Sequence, residues 1–151
     1  MSAALRIRDA TATESAVLEA LQRRASEIWE EYREPLAANP DAIELPRAFI
    51  ENGWVRVAVA ENGRPAGFSV VIPGDGDVHE LDGLFVEPSR MYRGVGRALI
   101  DDATVRATAS GAACLEVTAG PARAFYEKVG FTVVGAAETR FGPAVRMCRQ
   151  L

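Results

Sequence analysis

Lysine is nearly missing from this chain: Lys128 is the single one, and every other basic residue is arginine. Bases are also the minority, 17 against 21 acids, for a net charge of −4. A sequence-independent nucleic-acid binder carries a basic excess, so DNA and RNA are excluded as the main partner. There is one histidine, His79, and there are two cysteines, Cys114 and Cys148. These three cannot complete a four-ligand zinc site, so no metal is expected. The cysteines lie far apart in the chain and read as buried thiols of a reducing compartment. No apolar run approaches the ~20 residues that cross a bilayer, which excludes a membrane-spanning helix. Met1 to Asp9 has no apolar signal core ahead of its charges, so the expected location is the cytoplasm.

What is present is ordinary globular material: 151 residues, 48% apolar and 25% charged. That composition excludes disorder and low-complexity repeats. A chain of this length buries roughly 70% of its unfolded surface and fits one domain, read here as 1–151. The arginine bias fits recognition of phosphate or carboxylate through a planar fork. It is also what a GC-rich genome produces.

Leu5 to Arg8 alternates and reads as a first strand. Thr11 to Glu14 then matches a capping box, with Thr11 as N-cap. Val17, Leu18, Leu21, Ala25, Ile28, Trp29 and Tyr32 recur at spacings of three and four. They predict one long amphipathic helix that ends before Pro35. A second helix is expected over Asp41 to Ile50, stopped by Asn52-Gly53. Two strands, Trp54 to Ala60 and Ala66 to Ile72, flank Asn62-Gly63, which predicts a type I′ hairpin turn. A third strand spans Val78 to Val86 and stops at Pro88. The glycine-rich helix after Arg93 runs to Gly111, and a strand from Ala113 to Thr118 follows. A helix begins at Pro121 and ends at Gly130-Phe131, in the manner of a Schellman cap. Strands at Phe131 to Gly135 and Ala144 to Arg149 close the chain. The order is β-α-α-β-β-β-α-β-α-β-β, a mixed α/β sheet with one crossover around the glycine-rich helix.

The chemistry gathers at Met91-Tyr92-Arg93-Gly94-Val95-Gly96-Arg97-Ala98. Glycines without Cβ atoms let a phosphate approach the backbone, and the helix behind offers unpaired N–H groups and its positive dipole end. A plain turn into a helix accounts for the same residues. A dinucleotide fingerprint fits poorly. Leu99 occupies its third glycine place, and seven residues, Glu87 to Arg93, separate strand from glycine.

Three segments together resemble the GNAT superfamily of N-acetyltransferases. They are Leu84-Phe85-Val86-Glu87-Pro88, then Arg93 to Ile100, then Ala124-Phe125-Tyr126-Glu127-Lys128-Val129-Gly130-Phe131. The resemblance covers roughly Val78 to Val134, and the element order fits the whole chain. It implies a mixed, mostly antiparallel central sheet of six to seven strands flanked by helices. It implies acetyl-coenzyme A as donor and an amine as acceptor, without a metal. The backbone of Met91 to Gly96 would hold the pyrophosphate, with Arg93, Arg97 and Ala98 beside it. The pantetheine arm would lie along Leu84, Phe85 and Val86. Two positions depart from the family pattern. Met91 stands where Gln or Arg is usual, and Ala119 where Asn is frequent, which removes one polar contact at each. Phe125 joins Ala119 on the donor side.

Tyr126 matches the family's general acid. A phenol near pKa 10 can protonate a departing thiolate. The alternative is an aromatic pair, Phe125 and Tyr126, packing a helix on a sheet. Glu80 is the candidate base, since an ammonium must lose a proton before it attacks a thioester. A solvated strand carboxylate explains Glu80 equally well. By alternation Glu80 and Asp82 share one face and His79 takes the other. Asp82 and Glu116 are substitutes for the base and belong with the acceptor side. Trp29 and Tyr32 offer an aromatic wall there, or part of the core stripe. Glu27, Glu30, Glu31, Glu34, Asp41 and Glu44 form an acidic mouth for a cationic amine, or a solvated helix face.

The expected activity is therefore direct acetyl transfer from acetyl-coenzyme A to a primary amine in a ternary complex. Two rivals stand beside it. One is a non-catalytic acyl-coenzyme A-binding module. The other is an acyltransferase with a longer donor or an alcohol acceptor. A homodimer is compatible with each.

Overall fold

A computed structural model describes residues 5–151. Met1–Ala4, part of the N-terminal stretch read above, lie outside the described residues. The first strand, β1 (Arg6–Asp9), precedes a single 3-10 turn, Ala12–Glu14. Thr11 is the N-cap of that turn, and its N–H donates to Glu14 Oε1 at 2.9 Å. Glu14 also takes both nitrogens of the Arg8 fork, at 2.8 and 2.9 Å. The capping box is thus tied sideways into β1.

The long helix expected next is two helices, α1 (Ser15–Glu27) and α2 (Glu30–Ala38). The apolar spacing runs unbroken through the joint, but Trp29 takes an extended conformation (φ −90°, ψ 111°). The break exposes the Glu27 carbonyl, and Arg33 Nε fills it at 2.8 Å. Pro35, expected to lie beyond the helix, sits inside α2. The second expected helix shrinks to a 3-10 turn, Pro40–Ala42, and α3 (Arg47–Glu51), because Pro46 sets the start of the latter. Gly53 ends α3 with φ +74°, as Asn52-Gly53 suggested.

Strands β2 (Val55–Val59), β3 (Pro65–Pro73) and β4 (Val78–Val86) follow. The turn between β2 and β3 is not type I′, which needs two positive φ angles. Only Gly63 has one there, at +79°. Gly63 N–H closes on the Ala60 carbonyl at 2.9 Å, and Arg64 N–H on Asn62 Oδ1 at 2.9 Å. This is a tight turn whose last residue is left-handed. After β4 come α4 (Val95–Ala109), β5 (Cys114–Ala119), α5 (Arg123–Lys128), β6 (Thr132–Thr139) and β7 (Gly142–Gln150). The Phe131 N–H reaches back to the Tyr126 carbonyl at 3.0 Å, the long bond of a Schellman cap.

The strands form one seven-stranded sheet in the order β1-β2-β3-β4-β5-β7-β6. β1 with β2, β2 with β3, β5 with β7 and β6 with β7 are antiparallel. β4 with β5 is a parallel pair, as a strand-helix-strand crossover requires. The described residues divide into two compact units, 5–70 with Gly83–Leu99, and Val71–Asp82 with Ile100–Leu151. In the first, Ala58, Ala60, Ala66, Val95 and Leu99 form a buried cluster against Ile7, Leu84 and Val86. In the second, Leu115, Val117, Met147, Tyr126 and Phe131 are buried. No helix of the described residues is long and apolar enough to cross a membrane.

Cys114 and Cys148 are not free thiols. They are bonded to each other, with Cα atoms 6.2 Å apart on the neighbouring strands β5 and β7. The reading of two separate thiols overlooked that antiparallel pairing can bring positions 34 residues apart side by side.

Candidate active site

In the first unit, the residue that follows β4 is heavily used. Glu87 N–H donates to the Ala66 carbonyl at 2.8 Å, and its own carbonyl accepts from Arg90 N–H at 2.8 Å. A 3-10 turn, Pro88–Arg90, leads to half-buried Met91. Tyr92 then takes φ +63°, the one positive φ of a non-glycine among the described residues. Gly94 follows at φ +84°, with open space where a Cβ would stand. Its glycine identity therefore serves the torsion, not room inside the protein. The helix α4 starts directly behind, with Ala98 N–H closing on the Gly94 carbonyl at 3.0 Å. Val95 is buried beneath the bend, while Tyr92, Arg93 and Arg97 are exposed on it. Amides presented at such a bend, backed by a helix dipole, can hold an anion.

The floor under this bend depends on Gly67 of β3. A Cβ there would meet the Phe85 carbonyl at 2.7 Å and the Val95 and Leu99 side chains at 3.0 and 3.2 Å. Without it, α4 and β4 settle close to β3. Leu84, Phe85 and Val86 are half-buried, and the Phe85 ring packs on Phe68 with centroids 5.2 Å apart. Trp29 marks the break between α1 and α2, and Tyr32 is half-buried just beyond it. Burial, then the Glu31 charge, pushes the Tyr32 phenol up. Glu27, Glu30, Glu31, Glu34, Asp41 and Glu44 are all exposed, which an acidic mouth and a solvated helix face share.

In the second unit, the parallel ladder pairs Val78–Leu81 with Cys114–Val117 and sets Glu80 directly beside Glu116. Asp82 lies two residues further along the same face of β4. His79 is buried on the opposite face, as strand alternation requires. Glu80 is exposed as a residue, but partial burial of its carboxyl, then the charges of Asp82 and Glu116, pushes that carboxyl up. Burial of its carboxyl end does the same to Asp82, although the residue as a whole remains exposed. The sequence missed Arg146 of β7, whose Nη1 lies 3.9 Å from Glu116 Oε1. Only the register reveals it: Thr118 opposes Arg146 across the β5–β7 ladder. Among the described residues the β4–β5 ladder ends at Leu81, although β4 runs on to Val86.

Tyr126 is buried on α5, edge-on to both Phe125 (5.3 Å) and Phe131 (5.4 Å). The aromatic-pair reading of Phe125 and Tyr126 is thus part of the structure, and it fixes where the phenol ring stands. Ala119 closes β5 in a buried position opposite Val145.

Comparison with known proteins gives the family. The model of the acetyltransferase (GNAT) domain family matches residues 53–133, more than half of the chain. The chain belongs to the GNAT family. The stretch from the β2 strand to β6 is therefore an acetyltransferase domain, of a transferase family that binds coenzyme A. The peptidyl-lysine N-acetyltransferase YjaB of Escherichia coli (strain K12) is 35% identical over 95 residues, 63% of this chain and 60% of that protein. The chain thus matches less than two thirds of this relative's length. A GCN5-related N-acetyltransferase from Rhodopseudomonas palustris is 26% identical, covers 100% of this chain and 97% of its own, and has a TM-score of 0.75. PaiA N-acetyltransferase from Thermoplasma acidophilum, solved with coenzyme A, is 20% identical. It covers 98% of this chain and 99% of its own at a TM-score of 0.77, a likeness of fold.

Proposed function

We propose that this GNAT-family protein moves the acetyl group of acetyl-coenzyme A to a primary amine of a small molecule or peptide, directly and within a ternary complex. The observation that carries the reading is the bend before α4, where Gly94 turns left-handed over open space. The amides of Met91 to Gly96 take the donor's diphosphate, and exposed Arg93 and Arg97 add charge. Ala98 completes that first turn. Leu84, Phe85 and Val86 accept the pantetheine arm. The early end of the β4–β5 ladder supports this, since β4 then has main-chain groups to offer beyond Leu81.

Glu80 takes a proton from the ammonium, directly or through a water. Its raised pKa makes it a better base near neutral pH than an ordinary carboxylate. The freed amine attacks the thioester carbonyl, and an N–H from the Leu84–Val86 stretch steadies the oxyanion. Tyr126 protonates the departing thiolate. Asp82 and Glu116 draw the cationic acceptor. The name of the Escherichia coli relative makes a lysyl amine one acceptor to include. A homodimer fits the reading.

The test is a panel of acyl donors and amine or alcohol acceptors, read by release of free coenzyme A thiol. Acetyl-coenzyme A with a primary amine gives the highest rate on this reading. Met91 and Ala119, which lack the family's usual polar contacts, favour a second reading, a module that holds acyl-coenzyme A without catalysis. Thermal stabilisation by coenzyme A with no thiol release for any acceptor establishes that module instead.

A further inference from the structure

We infer that Tyr92 is a platform for the nucleotide base of the donor, so that this protein selects nucleotide-bearing coenzyme A thioesters over thioesters of bare phosphopantetheine. The inference rests on the donor site proposed above and adds what that site discriminates.

Two independent observations single out Tyr92. Its φ of +63° places a bulky side chain in the left-handed region, which glycine or asparagine enters at far less cost. The residue is also 99% exposed, the most exposed large apolar one described. The ring stacks on no other ring and its hydroxyl holds no hydrogen bond among the described residues. A tyrosine buried in a core explains itself by packing, and Tyr92 has no packing. A strained residue held with its ring in solvent gains a compensating contact only when something binds.

The place of the ring says what that is. Tyr92 lies two residues before Gly94, beside the amides assigned to the diphosphate. The part of the donor joined to the diphosphate on its other side is the adenosine. A purine offers a flat π-face, and aromatic side chains stack on such faces. Arg93 is exposed, and Arg90 is 3.5 Å from Glu61 of the β2–β3 turn. A phosphopantetheine thioester has the arm and one phosphate but no base, so it gains nothing from Tyr92.

The experiment measures Kd by calorimetry for coenzyme A and for phosphopantetheine, on the wild type, Tyr92→Phe and Tyr92→Asn, with Tm for each. Asparagine keeps the left-handed torsion and removes the ring. The expected result is a Kd for coenzyme A about ten-fold weaker in Tyr92→Asn, unchanged in Tyr92→Phe. Phosphopantetheine binds all three alike, and the Tm of Tyr92→Asn is not below that of the wild type. Equal loss toward both ligands, or wild-type affinity for coenzyme A in Tyr92→Asn, overturns the inference. A wild type that binds neither ligand overturns the donor site itself, a distinct result.

Discussion

Arg24 of α1 and Glu87 at the end of β4 meet fork to fork, Nε to Oε1 at 2.9 Å and Nη2 to Oε2 at 2.6 Å. Their separation of 63 residues makes this a tertiary tie, and it holds the residue from which the donor loop departs.

Arg24→Met removes that tie. The pair is partly open to water, so the expected loss of stability is no more than about 1 kcal/mol, shrinking as salt rises. The larger expected effect is on coenzyme A, whose Kd weakens at low salt because Glu87 loses its side anchor. Titrations of coenzyme A at two ionic strengths measure it. An unaltered Kd at low salt would mean that the backbone bonds of Glu87 suffice.

Glu80 and Asp82 set a pH dependence. Their pKa values are raised in the folded state, so each binds its proton more tightly folded than unfolded. The stability this gives is present below the ordinary carboxylate range and is lost as pH rises through the raised values. The acid limb of kcat/KM should follow Glu80 and lie above the ordinary glutamate range. Asp82→Asn removes one charge that raises Glu80, so the limb moves to lower pH. Glu80→Gln should lower the rate at least ~10²-fold, as loss of a general base does. A pH–rate profile unmoved in Asp82→Asn contradicts the coupling.

Glu14 works in the opposite sense. The Arg8 hydrogen bonds hold its carboxyl down at about 2, from 4.5. A depressed acid stabilises above its unfolded pKa and loses that contribution as pH falls through the folded one. Urea midpoints of the wild type should therefore drop between pH 4.5 and about 2 more steeply than those of Glu14→Gln. Parallel curves would show that the Arg8–Glu14–Thr11 network adds nothing.

Tyr126→Phe separates acid from packing. The ring keeps its edge contacts with Phe125 and Phe131, so the fold persists, with at most about 1 kcal/mol lost from the hydroxyl. Turnover should fall at least ~10²-fold. Full turnover at every pH would take Tyr126 out of the chemistry.

How much could be read from the chain alone varied with punctuation. The bounds of β4 were legible because Asp75-Gly76-Asp77 and Pro88 bracket the segment on both sides. The break at Trp29 was not, because apolar spacing continues across it and the bond from Arg33 that caps it is invisible in a linear pattern. Pro46 was a readable start signal that the expected helix ran over. The glycine bend was legible as a place for an anion. The left-handed torsion at Tyr92 was not, since tyrosine carries no signal for it. Glu80 beside Glu116 and Arg146 depended on register, which no single strand encodes.

The missing Cβ of Gly67 has one more consequence. It lets the first turn of α4 rest on β3, while Glu87 is bolted at the near side. The span from Pro88 to Gly94 is therefore secured at both abutments. Such a span behaves as a fixed saddle onto which a ligand settles, not as a flap that swings shut.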